Sequence, residues 1–212
     1  MKYFFAGILV PASAVIPVCV ALGRRQQLAA RHWILFVYLI ITLLGNILAR
    51  YLAQHGIRNT PLFHLHTIVE MVLFSFFFRT LFRAQIIPTA ILGIAIVFSL
   101  YCVVNFIFLQ SIYSFNSYTR SIEAIILILF CVMYWWKGAT AAGDSPWVAI
   151  ADNWAVSGIL FYFSSALFLF IFSNYLLQHV SKQANVLVWN IHAAIVLLMY
   201  LLLTVTFLKS KR

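Results

Sequence analysis

The chain has 212 residues, of which 65% are hydrophobic and 8% charged, with a mean hydropathy of +1.02. A soluble domain carries about 25% charged residues and could not hide so much apolar surface, so composition points to a set of membrane-spanning helices. The formal net charge of +10 does not imply nucleic acid, because the basic residues sit between apolar runs, where topology and anionic lipid headgroups account for them.

Apolar runs long enough to cross a bilayer occur at 3–22, 33–53, 61–82, 86–109, 118–136, 150–178 and 186–208. The fold class is therefore all-α: a polytopic membrane protein, a bundle of seven transmembrane helices forming a single domain over 1–212. The first run opens as "MKYFFAGILVPASA", with the basic start and A-x-A-like end of a signal peptide. It continues through "VIPVCVAL", which is long enough to span, and is expected to be the first helix. Pro11 and Pro17 can kink it. After "GRRQQLAARH", the second run carries Gly45, Asn46 and, one turn later, Arg50.

The third run reads "TPLFHLHTIVEMVLFSFFF". Thr60 serves as its expected cap, with Pro61 in the first turn. His66 and Glu70 are four apart and share a helix face, with Thr67 beside them. His64 points elsewhere and is expected at the headgroup boundary. Asn105 comes late in the fourth run. In the fifth, Arg120 and Glu123 are three apart and can pair. Trp135, Trp136, Trp147 and Trp154 read as interfacial anchors; Trp189 lies nearer the pocket and can line it, with anchoring the leading reading. Asp144 and Asp152 fall in the loop before the sixth run, which ends with Ser173 and Asn174. The seventh carries Asn190 and His192 in its second turn. Cys19, Cys102 and Cys131 all lie within apolar runs and form no CxxC pair, so they read as small hydrophobes.

The positive-inside rule sets the orientation. Lys2, Arg50, Arg58, Arg120 and Lys182 fall on one side, and the other nine of the 14 basic residues on the opposite side. The richer side is cytoplasmic, which puts the N-terminus outside, the C-terminus inside and the chain in a bacterial inner (cytoplasmic) membrane. Asn46, Arg50, His66, Glu70, Arg120, Glu123, Asn174, Asn190 and His192 then share one depth, the outer third, while the inner halves are almost purely Leu, Ile, Val and Phe. Polar side chains at such depth are costly and face the bundle interior. Their convergence predicts a pocket under the extracytoplasmic surface, with His66, Glu70, Glu123 and His192 at its centre.

A short internal similarity pairs "FHLH" (63–66) with "WNIH" (189–192), and "RYL" (50–52) with "NYL" (174–176). It fits a 3+1+3 arrangement of parallel repeats. Three kinds of chemistry fit the polar set. His66, Glu70 and His192 could hold a divalent metal such as zinc. Glu70 and Glu123 could neutralise Arg50, Arg120 or a protonated His66 in an ion-pair network. A carboxylate and a histidine in apolar surroundings could carry protons. Retinal is excluded, because the last helix has no lysine before Lys209 at its end, and no DRY-like or NPxxY-like sequence is present.

The stretches "HLHTIVEMVLFSFFF", "FYFSSALFLFIFSNYLL" and "WNIHAAIVLLMYLLL" resemble small seven-helix bacterial membrane proteins that have no assigned activity. The resemblance implies only that the polar positions are a family feature. The leading functional expectation is a receptor-like or sensory module. It would bind a small extracytoplasmic ligand and engage a cytoplasmic signalling partner. Alternatives are a small-solute or proton-coupled transporter and a metal-dependent intramembrane hydrolase acting on a lipid-like substrate.

Overall fold

A computed structural model describes residues 4–82, 86–140 and 146–212. Among them there are helices and no strands. Lys2, Arg83 and Asp144 lie outside the described residues. Seven helices are long and apolar enough to cross a membrane: α1 Phe5–Gly23, α2 Ala30–Gln54, α3 Thr60–Leu81, α4 Ile86–Leu109, α5 Ser117–Ala139, α6 Ala151–His179 and α7 Lys182–Lys209. The expected runs match them in number and order, and no end differs by more than four residues. The chain is thus an integral membrane protein. Helices satisfy their own backbone polar groups, which a lipid solvent requires.

Local chemistry marks the helix ends. α2 stops at Gln54, after which Gly56 takes a φ of 71° and Ile57 N–H donates back to Leu52 O at 2.9 Å. That left-handed turn suits glycine, which has no Cβ to clash. α3 begins at Thr60, one residue ahead of the expected start, so the cap position falls on Asn59. Asn59 makes no capping bond; its amide instead donates to Ala49 O at 3.1 Å and ties the turn to α2. Pro61 lies in the first turn, where its missing N–H costs nothing. At the other end of α3, Lys137 Nζ of α5 donates to the otherwise orphaned Leu81 carbonyl at 2.6 Å. Ser181 caps α7 by accepting from Ala184 N–H at 3.3 Å.

α1 is not regular. A π-helical segment, Phe5–Leu9, precedes Pro11, and the helix is interrupted at Ala14 before resuming at Val15. Prolines remove backbone donors, which accounts for breaks of this kind.

Six helices close a ring: α1 packs on α2 and α7, α2 on α3, α3 on α5, α5 on α6, and α6 on α7. α4 lies outside it, mainly against α3. The α6–α7 seam is close at Gly158, where an added Cβ would lie 3.2 Å from Leu202 Cβ. Helices that approach this nearly favour a residue without a side chain.

The two halves of the ring differ. The half toward the C-terminus is packed solid by Leu35, Phe74, Phe77, Phe78, Phe163 and Phe207, all fully buried. Edge-on aromatic contacts join them, Phe74 to Phe163 at 6.0 Å and Phe77 to Phe78 at 5.5 Å. The other half, where α3, α5 and α7 begin, is hollow.

Candidate functional site

The hollow is a half-enclosed cavity of about 510 Å³, lined mostly by apolar and aromatic side chains from every helix of the ring. Its size lies in the range of small-molecule sites, roughly 300–1,000 Å³. Along α3 the lining runs from Leu62 to Glu70, a depth of about 12 Å at 1.5 Å per residue. Thr42, Gly45 and Asn46 contribute from α2, and Trp189, His192 and Tyr200 from α7. Gly45 keeps the wall thin: a Cβ there would meet only His66 Cδ2, at 3.9 Å.

At the bottom sits an ion-pair network. Arg120, on the first turn of α5, donates through Nη1 to Glu70 Oε2 and, at 2.6 Å, to Glu123 Oε2. Its Nη2 donates to Tyr162 OH at 2.8 Å. Tyr38 OH donates to the other oxygen of Glu70 at 2.9 Å. The guanidinium also lies 4.5 Å over the Phe170 ring, a cation–π contact that is strong when desolvated. Glu70 and Glu123 are fully buried, and Glu123 Oε1 has no partner among the described residues.

The two histidines stand above this floor. His66 Nδ1 is 3.9 Å from Glu70 Oε2, too long for a hydrogen bond, and its Nε2 lies 3.2 Å from Thr42 Oγ1. His192 is ringed by Tyr162, Phe170 and Trp189, each 5.7 Å away by centroid, and its Nδ1 is buried with no partner among the described residues.

Of the nine residues expected at the pocket, Asn46, His66, Glu70, Arg120 and His192 line the cavity. Glu123 stands behind Arg120. Arg50 is exposed and donates to Gly7 O of α1 at 3.3 Å. The Asn174 amide donates to Phe115 O and Ser117 Oγ, at 2.9 and 3.0 Å, pinning the loop before α5. Asn190 is half-buried and does not line the cavity. His64, near the start of α3, is buried, with Nε2 3.2 Å from Ser114 O in the loop before α5. Asn105 is fully buried in the π-helical end of α4, away from the lining. Trp189 takes the lining place and not the anchor's: it is a wall residue, its ring tilted against Phe115 with centroids 5.7 Å apart. Three of the other expected anchors gather, with Trp147 between Trp135 (5.9 Å) and Trp154 (5.1 Å).

The donor set does not fit a metal. Among the described residues, no three His, Cys, Asp or Glu side chains come together in a way that could hold an ion. The place a cation would take between Glu70 and Glu123 is filled by the Arg120 guanidinium.

A second polar cluster, unforeseen from sequence, closes the opposite end. Asp152 is not in a loop but in the first turn of α6, where its Oδ1 accepts from Arg31 Nε at 2.7 Å and lies 2.9 Å from His32 Nε2. A carboxylate only accepts, so Nε2 carries the proton. His32 Nδ1 lies 2.6 Å from Ser210 Oγ, which also accepts from Ala29 N–H at 3.0 Å. The order Ser–His–Asp is that of a hydrolytic triad, yet Ser210 is fully buried and lies at the far end from the cavity. The arrangement ties the chain end to the start of α2 and the start of α6. Asp152→Ala leaves His32 buried without its acceptor and is expected to cost about 1–3 kcal/mol. Trypsin cleavage after Lys209 should accelerate in that variant, because Ser210 no longer shields the bond; an unchanged cleavage rate would show that the tie holds nothing. The available signal was an acid placed where a spanning helix begins, with Arg31 and His32 starting another on the same side.

In comparisons with protein-family models, with curated proteins and with solved structures, nothing matches this chain.

Proposed function

We propose that the chain is a receptor-like membrane protein that binds a small amphipathic ligand in the cavity between α1, α2, α3, α5, α6 and α7. The cavity faces the extracytoplasmic side, with the basic end of the bundle in the cytoplasm. Supporting this orientation, Arg25, Arg79, Lys209, Lys211 and Arg212 are all exposed at the opposite end from the cavity. They offer a signalling partner, or anionic headgroups, a short cationic surface.

The observation that carries the reading is the contrast between the two halves of the ring. A cavity with free polar groups at one end stops at a floor of Arg120, Glu70 and Tyr162, and below that floor the interior is filled by aromatic side chains. Such a shape suits binding and conformational response. Carrying a solute through would need the Phe74–Phe163 contact to part.

A thermal-shift screen of protein in nanodiscs against monoaromatic and short aliphatic amphiphiles tests the reading. Hits are expected, and they should vanish in Gly45→Leu, whose side chain grows into the cavity without touching a charge. Proteoliposomes should show no flux of those hits. A screen with no Gly45-dependent hit, or a hit that is transported, would contradict a receptor-like role.

A further inference from the structure

The charges at the cavity floor are unequal in number. Two carboxylates, Glu70 and Glu123, face one guanidinium, that of Arg120. Of the other cations on neighbouring elements, Arg50 is turned outward to Gly7 O and Arg58 lies over Tyr113, 5.4 Å from its ring. His66 and His192 are the remaining titratable groups on the lining that carry positive charge when protonated. With both carboxylates ionised the site is one positive unit short of balance, in surroundings where an uncompensated charge is costly. A proton or a ligand can supply that unit.

The walls favour the ligand. Tyr38, Tyr200 and Trp189 stand around the space above the floor, and aromatic faces attract cations. The polar groups not used by the protein stand in the same space. Asn46 and Tyr200 line it, and His192 Nδ1 is without a partner among the described residues. An anionic ligand would meet the opposite situation: the one guanidinium is already held by two carboxylates and a tyrosine.

From this we infer that the ligand is a small monocationic amine with an apolar body. Its ammonium group sits above Glu70, and its apolar part lies against Phe63, Leu65 and Val196. This rests on the cavity being a ligand site, and the experiment separates the two ideas.

The probes are phenethylamine, 2-phenylethanol and 3-phenylpropionate, matched in body and differing in charge. Binding is read by saturation-transfer NMR on protein in nanodiscs, with empty nanodiscs and Gly45→Leu as controls for partition into lipid. The amine should bind about tenfold more tightly than the alcohol, as expected for a hydrogen bond to a charged group, and the carboxylate least. Glu123→Gln removes the second carboxylate without entering the cavity, so the preference should shrink to about threefold or less in it. Thermal unfolding of that variant verifies that it is folded.

Equal binding of all three probes, lost in Gly45→Leu, would overturn the charge assignment and leave the cavity as a binding site. A preference for the amine that Glu123→Gln does not alter would also overturn it. Binding of no probe in a Gly45-dependent manner would remove the cavity as a ligand site and the amine with it.

Discussion

Arg120→Ala is expected to lose about 3–5 kcal/mol of stability, the cost of leaving buried charges without their partner. The guanidinium is the common partner of Glu70, Glu123 and Tyr162, and both carboxylates are fully buried. The loss belongs to the broken network and not to the arginine as such. A triple variant, Arg120→Met with Glu70→Gln and Glu123→Gln, keeps the volumes, removes every charge and should recover most of the stability. Thermal unfolding in detergent distinguishes the cases. If Arg120→Ala unfolds at the wild-type temperature, the three charges are not held together as described. If the triple variant is no better than the single one, shape and not charge dominates the floor.

The second large effect is expected at Phe74→Ala. Phe74 is fully buried, 4.6 Å from Tyr38 and 6.0 Å from Phe163 by ring centroid. Truncation removes a large apolar group and leaves a void, for which about 3–5 kcal/mol is typical. Position adds a consequence. Phe74 lies one turn below Glu70, so the void extends the cavity into the packed half. Phe168→Ala is the control, because Phe168 is 72% exposed on the outside of α6 and its loss leaves no internal void. Thermal unfolding of both variants should separate them widely. Similar shifts would mean that the lower half is loosely packed and that the cavity has no firm floor.

Much of this was legible in the sequence, for reasons that differ by feature. The seven helices follow from hydropathy alone, because a lipid solvent leaves few alternatives for an apolar run of spanning length. The cavity residues His66, Glu70, Arg120 and His192 could be found because polar side chains inside a membrane are expensive and therefore stand out. The pairing of Arg120 with Glu123 follows from a three-residue spacing on a helix. Arg50, Asn174 and Asn190 share the right depth but not the right azimuth. Depth is read by counting residues, whereas the direction a helix faces depends on its neighbours. Thus Asn174 turns to the loop before α5, and Arg50 turns to α1. The polar cluster at the other end stayed hidden because its members come from three chain segments. Arg31 and His32, Asp152, and Ser210 look like ordinary flanking residues one at a time. The burial of His64 stayed hidden for a similar reason: its partner, the Ser114 carbonyl, is a backbone atom in a loop fifty residues away.

One-sided access to a closed-ended cavity can be tested most directly with single cysteines. In a background with Cys19, Cys102 and Cys131 replaced, cysteines at Thr42, Asn46 and Phe163 are exposed in turn to a membrane-impermeant cationic thiosulfonate, from one face of the membrane and then the other. Positions 42 and 46 line the cavity and should label from one face only, the extracytoplasmic one in the orientation proposed above. Position 163, fully buried in the packed half, should label from neither face. Labelling at 163, or labelling of 42 and 46 from both faces, would contradict a ligand cavity closed at one end.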